Sequence, residues 1–335
     1  MKRTFAWLRT RSPARPRRIW CLALALALLC SAPATGGAQG PGPVSVVDDA
    51  GQEISLPRPA GRVIALYGAF NEILDGLGRA EAIVARTNAD STPPRIARLP
   101  VIGTHMRPNI EAVLAQKPDL VLQMTGRKEA SLPVDALKKR GLRVAVFHAA
   151  SFAELMSVIR RVGVLTGAPA QAEDMVLGME ARLAALDAKV GATAQRPRVF
   201  FEVRSPNMLG AGDKGLVAEI IRRAGGVNCV TERAKFARLS EEELLRLAPE
   251  AYLIQRGPMN PAPLPLAKRP RLRTLPAAQN GKAWFVDERK YSRPGPQSID
   301  AAEELAGLLH PELAAKTQAK HTAAPKAGAR SKDRK

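Results

Sequence analysis

The sequence predicts an α/β protein with two Rossmann-like lobes, each built on a central, mostly parallel sheet, joined by a single long α-helix. Short β-rich segments alternate with helical stretches, which is the pattern of parallel strands covered by helices. One series comprises 62–66, 83–86, 120–124 and 143–147, and a second comprises 198–203, 251–254 and 283–286. Between the two series, apolar residues recur at helical spacing over 170–190 without an internal proline, which indicates a long helix between the lobes.

These patterns divide the chain into five parts. Alternating apolar and polar residues on either side of Asp49-Ala50-Gly51 also predict a hairpin at the start of the first lobe. We expect a signal peptide over 1–38, an N-terminal lobe over 44–168, a connecting helix over 169–192, a C-terminal lobe over 196–314 and a disordered basic tail over 315–335.

The N-terminal segment has the three-part layout of a secretory signal. Seven basic and no acidic residues precede an apolar run from Ile19 to Cys30, and small residues follow. Cleavage after Ala34 or after Ala38 satisfies the small-residue rule. A lipid anchor on Cys30 is disfavoured because Leu29 precedes it. We therefore expect a periplasmic protein without a lipid anchor.

Charge and cysteine content argue against a nucleic-acid-binding protein and against a protein held by an internal disulfide. The formal charge is +20, but the leader carries seven of these charges and the tail a net six, which leaves about +7 for the globular part. No basic stripe interleaved with aromatic residues occurs, so a nucleic-acid partner is not expected. Two of the three cysteines lie in the leader, and the remaining Cys229 is expected to be a buried core thiol without a disulfide.

An internal repeat marks both predicted lobes. Glu111 and Glu242 each precede a proline by seven residues, and each lies in the first turn of a helix that leads into a strand. An acidic residue in a first turn is favoured by the helix dipole, which explains each glutamate separately. Two carboxylates at equivalent positions can also dock two basic patches on a symmetric partner, because exposed charges orient association.

The ordered motifs along the chain resemble the cobalamin and ferric-siderophore class of periplasmic binding proteins. The resemblance implies a rigid helix between lobes, uptake by an ATP-driven importer, and paired glutamates, here Glu111 and Glu242, that contact arginines of the permease dimer. It rests on the segments 46–51, 62–66, 71–74, 109–111, 118–121 and 224–228.

The same resemblance places ligand contacts in loops at the carboxyl ends of strands. These loops offer arginine, which suits anionic chelates, and tyrosine, which can stack on or ligate iron. In the first lobe the candidates are Tyr67, Arg86, Thr87, His105, Met106, Arg107, Met124 and Arg127. In the second they are Arg204, Asn207, Met208, Tyr291 and Arg293.

The implied solute is an iron chelate, either a siderophore or haem, or a cobalamin-like molecule. Ala89, His105 and Met124 stand where cobalamin-binding relatives place aromatic residues, so an anionic iron chelate or haem fits slightly better. His105 or Tyr291 could then reach the metal. No resident cofactor is expected, the permease with its ATPase is the expected partner, and a monomer is the expected state.

Two other functions remain open. A receptor for bare divalent metal would need a cluster of histidines and carboxylates, and at most two of the four histidines can share a cleft. An α/β enzyme is the alternative of another class, although the sequence contains no nucleophile elbow, phosphate loop or zinc-protease motif. Gly210, Gly212 and Gly215 match a dinucleotide spacing, which a tight turn explains equally well.

Overall fold

The computed structural model describes residues 42–125 and 131–313. The predicted signal peptide over 1–38, the predicted tail over 315–335 and the candidate Arg127 lie outside the described residues. Within them, two central sheets with covering helices confirm the predicted α/β fold class.

The first lobe contains a hairpin and a parallel sheet. Its strands β3 and β5 are buried throughout and apolar except for Gln123, as expected for strands covered on both faces. The parallel sheet has the order β4-β3-β5-β6. The strands are β1 (Val44–Val47), β2 (Glu53–Leu56), β3 (Val63–Ala65), β4 (Ile83–Ala85), β5 (Leu120–Met124) and β6 (Val144–Phe147). The helices are α1 (Ala69–Gly76), α2 (Ile110–Ala115), α3 (Ser131–Lys139) and α4 (Phe152–Thr166).

The second lobe contains a mixed sheet. Its order is β10-β8-β7-β11-β12, with β9 also paired to β7. Strands β7, β9, β11 and β12 are parallel, whereas β8 pairs antiparallel with both of its neighbours, β7 and β10. The strands are β7 (Arg198–Arg204), β8 (Leu209–Ala211), β9 (Val227–Asn228), β10 (Phe236–Arg238), β11 (Ala251–Arg256) and β12 (Ala283–Asp287). The helices are α6 (Leu216–Arg223), α7 (Glu241–Leu247), α8 (Pro276–Gln279), α9 (Glu288–Ser292) and α10 (Ser298–Leu309).

A single helix, α5 (Pro169–Gly191), connects the two lobes. It begins at a proline, which the first turn of a helix tolerates because the missing N–H would have no partner there. Met179 and Leu183 are buried in the main core, and Met175 packs against it. The methionine stripe of this helix is therefore core packing and not a ligand surface.

The two lobes share one local plan that extends the sequence repeat. Val63 of β3 is paired with Leu120 of β5, and Val199 of β7 is paired in the same way with Ala251 of β11. Asp119 and Glu250 both accept hydrogen bonds from backbone N–H groups at the start of the neighbouring strand. The strand that follows each glutamate helix is therefore fixed by the same contact in both lobes.

The structure also gives the environments of Cys229 and of the glycines with dinucleotide spacing. Cys229 is buried, its Sγ lies 3.0 Å from the carbonyl oxygen of Val199, and burial raises its pKa to about 12. Gly210 lies on β8 and Gly212 directly follows it, and β8 is paired antiparallel with β10, whereas a dinucleotide motif requires a parallel strand that enters a helix. A Cβ at Gly212 would lie 2.9 Å from the carbonyl oxygen of Glu232, so close backbone approach explains this glycine.

Among the described helices, none combines the length and the apolar character needed to cross a bilayer.

Candidate functional site

A cavity of about 340 Å³ lies where the carboxyl ends of strands from both sheets face each other. The first lobe lines it with loops that follow β3, β4 and β5, and the second with residues at β10, after β11 and in α9. Parallel sheets bind ligands at this edge, because loops from several strands converge there. The lining residues are Leu66, Tyr67, Gly68, Thr87, Ala89, Asp90, His105, Met106, Met124, Thr125, Lys235, Phe236, Pro258, Met259, Glu288, Ser292 and Arg293.

Much of the wall consists of polarisable apolar side chains. Three methionines, Met106, Met124 and Met259, line the cavity together with Phe236. The rings of Tyr67 and His105 meet edge to face with their centroids 5.9 Å apart. Thioethers and aromatic rings adapt to flat, apolar ligand surfaces, so this wall suits a planar or macrocyclic solute.

The charged groups of the cavity lie close together at the junction of the lobes. Arg293 Nη1 lies 3.4 Å from Asp90 Oδ1, and the Thr87 hydroxyl donates to Asp90 Oδ2 at 2.6 Å. Glu288 accepts a hydrogen bond from the Met259 backbone N–H at 2.8 Å. Burial raises the pKa of the Glu288 carboxyl, and this hydrogen bond opposes the shift. The lining as a whole has two acidic residues, Asp90 and Glu288, and two basic residues, Lys235 and Arg293, so it is not the predominantly basic site that the arginine-rich loops predicted.

Tyr67 provides the phenol of the cavity. Burial raises its pKa to about 12, and the nearby Arg293 guanidinium opposes this shift. The phenol is therefore protonated at neutral pH, and direct ligation of a metal would require the metal to displace the proton.

The structure brings together six of the residues expected to contact ligand. Arg127 cannot be placed because it lies outside the described residues. The six that line the cavity are Tyr67, Thr87, His105, Met106, Met124 and Arg293.

The other six candidates lie elsewhere. Tyr291 is fully buried in the core, where its ring packs near Phe201 and its hydroxyl is 3.5 Å from Glu304. This placement corrects the expectation that Tyr291 could reach a bound metal. Arg86 donates to the backbone carbonyls of Thr87 and Asp90 and so braces the loop from behind.

Three further candidates, Arg204, Asn207 and Met208, lie at the end of β7 and in the turn that leads into the antiparallel β8, and they do not line the cavity. Met208 instead packs against a second core cluster and lies 3.7 Å from the Tyr252 hydroxyl. Arg107 is exposed and also lies outside the lining. These four residues lie outside the lining of this cavity, and ligand contact at them stays a prediction.

Most of the second-lobe residues that line the cavity were not among the candidates from the sequence. Met259 lies in the loop after β11 and Glu288 follows directly on β12, so the rule that ligands bind at carboxyl ends would have found them. Lys235 and Phe236 lie at the start of an antiparallel strand that no sequence pattern identified.

Comparison with known proteins gives the family. Residues 63–289, more than half of the chain, match the family model of the periplasmic binding proteins. The chain belongs to the periplasmic binding protein family.

Individual relatives agree with this assignment. The uncharacterised ABC transporter substrate-binding lipoprotein YvrC of Bacillus subtilis is 26% identical over 275 residues, which cover 81% of this chain and 86% of YvrC. A vitamin B12-binding protein of Pectobacterium carotovorum is 24% identical over 250 residues, which cover 74% of this chain and 88% of that protein. The crystal structure of a periplasmic haem-binding protein from Pseudomonas aeruginosa has a TM-score of 0.67 and 23% identity, and the match covers 75% of this chain and 93% of that one.

In this periplasmic binding protein the two predicted docking glutamates occupy equivalent places. Each is the second residue of its helix, and each helix is capped by a side chain that accepts from a backbone N–H, Asn109 in α2 and Ser240 in α7. Glu111 and Glu242 are both largely exposed. Over 42–125 and 131–313, no group of three or more histidine, cysteine or acidic side chains is arranged to hold a metal ion.

Proposed function

We propose that this chain is the solute receptor of an ABC importer and that its solute is a planar metal chelate of the haem or corrinoid type. The observation that supports this proposal is the cavity at the facing strand ends, walled by Met106, Met124, Met259 and Phe236. Soft apolar walls with a few polar groups on one side are typical of sites for such ligands.

The single cavity arginine makes an anionic siderophore a weaker candidate than the sequence indicated. Arg293 already has Asp90 as a partner, and Glu288 adds a second carboxyl that balances the charge of the other basic lining residue, Lys235. A cavity of about 340 Å³ is at the lower end of small-molecule sites. We therefore expect a macrocycle to be held by one edge or face, with its remainder in the open mouth.

Absorption spectra provide the direct test of the solute. Haemin, cyanocobalamin and a ferric hydroxamate are titrated separately into the purified protein, with zinc and manganese ions as the alternative class. We expect tight binding of haemin or cyanocobalamin. Tight binding of the bare ions alone, or turnover of a bound solute, would replace this proposal by a metal receptor or an enzyme.

Two variants locate the metal within the cavity. Because Tyr67 and His105 line the cavity side by side, Tyr67→Phe and His105→Ala should shift the absorption bands of a bound chelate. Tyr291→Phe is the matched control, since its phenol is buried outside the cavity, and it should leave the bands unchanged. Equal spectra for all three variants would mean that neither cavity residue approaches the metal.

The proposed route of delivery is docking of Glu111 and Glu242 on the permease, coupled to its ATPase. Both glutamates begin helices whose first turns lie at the same sheet edge as the cavity, so a partner covering that edge meets both. Replacing both with alanine should abolish transport and leave solute affinity unchanged. Glu81→Ala is the control, because Glu81 is 88% exposed and lies just before β4, at the opposite sheet edge.

We further propose that the chain acts as a monomer in the periplasm after removal of its signal peptide. The relative YvrC is described as a lipoprotein, which makes an anchor on Cys30 the alternative. Mass spectrometry of the exported protein distinguishes a chain that begins after Ala34 or Ala38 from one that begins at a lipidated Cys30.

A further inference from the structure

Each docking glutamate is paired with an arginine of its own lobe. Arg140 Nη1 lies 3.0 Å from Glu111 Oε1, and Arg271 Nη1 lies 2.9 Å from Glu242 Oε1. In both lobes the arginine follows the glutamate by 29 residues. The sequence repeat identified the glutamates but not these partners.

The two arginines come from different local structures. Arg140 follows the last turn of α3, whereas Arg271 precedes a single 3-10 turn over Leu272–Thr274. The segments that carry them are the corresponding connections, β5 to β6 in one lobe and β11 to β12 in the other. The shared feature is therefore the ion pair itself and not the fold of the segment.

These pairs contribute little to folding. The four side chains are between 55% and 74% exposed, and exposed pairs of this kind add little to the stability of a protein. A partner can therefore break them at small cost. Their effect falls instead on the electrostatic field of the docking surface, since each guanidinium offsets the charge of the carboxylate that a partner would contact.

We propose that Arg140 and Arg271 are intramolecular competitors for the docking carboxylates, which a cationic partner surface must displace or accommodate. This proposal rests on the docking role of Glu111 and Glu242. The partner that fits has a guanidinium group opposite each lobe. Arg140 and Arg271 weaken the attraction between that partner and the two glutamates. They thereby lower the affinity of docking, which favours release of the receptor after delivery.

The two lobes differ in how fully the acid is offset. Glu111 is the only acidic residue in the first turn of α2, whereas α7 begins with Glu241, Glu242 and Glu243. Arg271 also contacts Glu241 at 3.6 Å. Arg140 therefore offsets a larger fraction of the negative charge at the start of α2 than Arg271 offsets at the start of α7. Arg140→Gln should accordingly have a greater effect on docking than Arg271→Gln.

The test measures binding of variants of the exported protein, without the signal peptide, to the cognate permease–ATPase complex in nanodiscs by biolayer interferometry. Arg140→Gln/Arg271→Gln removes both charges but keeps hydrogen-bond donors, and Arg140→Lys/Arg271→Lys keeps both charges. At low salt we expect the glutamine variant to associate about 3- to 10-fold faster, with the difference lost at about 0.5 M salt. The lysine variant should behave as the wild type.

Arg95→Gln is the matched control, because Arg95 is 52% exposed and paired with Glu81 near the opposite sheet edge. It should leave association unchanged. If Glu111→Ala/Glu242→Ala abolishes docking while the glutamine variant binds as the wild type or more weakly, the competitor role is wrong and the docking role stands. If Glu111→Ala/Glu242→Ala docks normally, the docking role itself is wrong.

Discussion

Arg293 of the second lobe forms an ion pair with Asp90 of the first, with Nη1 3.4 Å from Oδ1. Both groups are almost fully buried, and Thr87 donates a second hydrogen bond to Asp90. A nearby contact, from Arg289 Nη1 to the Thr92 hydroxyl at 3.2 Å, also links the two lobes. The lobes are thus connected at the cavity as well as through α5.

Gly68 leaves the space for this pair. A Cβ at this position would collide with Asp90 Oδ1 and lie 2.6 Å from Arg293 Nη1. We expect Gly68→Ala to separate the pair, to lower the free energy of unfolding by about 1–3 kcal/mol and to weaken solute binding. Gly178→Ala in α5 is the control, because nothing lies within 4 Å of its added Cβ, and it should stabilise by about 0.5–1 kcal/mol. Urea unfolding measures the stability of both variants, and calorimetry measures their solute binding. If Gly68→Ala behaved like Gly178→Ala, the Arg293–Asp90 pair would not connect the lobes as described.

Glu202 holds the loop after β11, which contributes Met259 to the second-lobe side of the cavity. Its side chain is fully buried, accepts from the Tyr252 hydroxyl at 2.6 Å and forms a two-point ion pair with Arg269. Asn260, one residue after Met259, also donates to Glu202 at 3.4 Å. The network ties the segment after β11 to the central strand β7.

Neutralising Glu202 should therefore destabilise the fold. Glu202→Gln leaves the Arg269 guanidinium without a charged partner in a largely buried place, and we expect a loss of about 3 kcal/mol in the free energy of unfolding. Glu81→Gln, which removes the charge of an exposed pair, should change it by less than about 1 kcal/mol. Thermal melts monitored by circular dichroism compare the two, and similar midpoints would show that the buried pair does not support the loop.

The fold could be predicted because parallel strands leave strong signals. Buried segments such as Leu120–Met124 are short, mainly apolar runs between helices, and the helix Pro169–Gly191 repeats apolar residues every three to four positions. The repeat around Glu111 and Glu242 was visible because a helix N-terminus, a proline and an acid recur at fixed spacing.

The site was predicted in part because position along the chain does not give side-chain direction. Tyr291 and Arg293 are two residues apart, yet one is buried in the core and the other lines the cavity. Arg86 follows β4 as expected, but its guanidinium turns to backbone carbonyls. Lys235 enters the site through an antiparallel pairing that has no local signature.

The repeat also includes a backbone conformation that costs free energy in both lobes. Lys117 and Ala248, each the residue before the repeated proline, have φ values of 45° and 43°. A left-handed conformation costs a residue with a Cβ roughly 1–2 kcal/mol, which glycine avoids. We expect Lys117→Gly and Ala248→Gly each to stabilise the protein by about 1 kcal/mol.

The control for these variants has the opposite expected sign. Ala184→Gly lies in the exposed interior of α5 and should destabilise by about 1 kcal/mol, because glycine loses more backbone entropy in a helix. Denaturant midpoints of the three variants measure the difference. Destabilisation by all three would show that the side chains at 117 and 248 carry no conformational cost.

Glu72 should make stability depend on pH near neutrality. Burial raises the pKa of this carboxyl from 4.5 to about 7, with Asp90 and Asp287 adding to the shift and Arg293 and Arg289 opposing it. The folded state keeps this proton up to about pH 7, whereas the unfolded chain releases it near 4.5, so unfolding releases a proton between these values. The contribution of Glu72 to stability is therefore fully present below pH 4.5 and is lost as the pH rises through about 7.

Glu72→Gln removes this titration, and above pH 7 the variant should exceed the wild type in free energy of unfolding by roughly 3 kcal/mol. Urea unfolding from pH 4 to 8 measures both proteins, and parallel curves would mean that Glu72 is ionised throughout in the folded state.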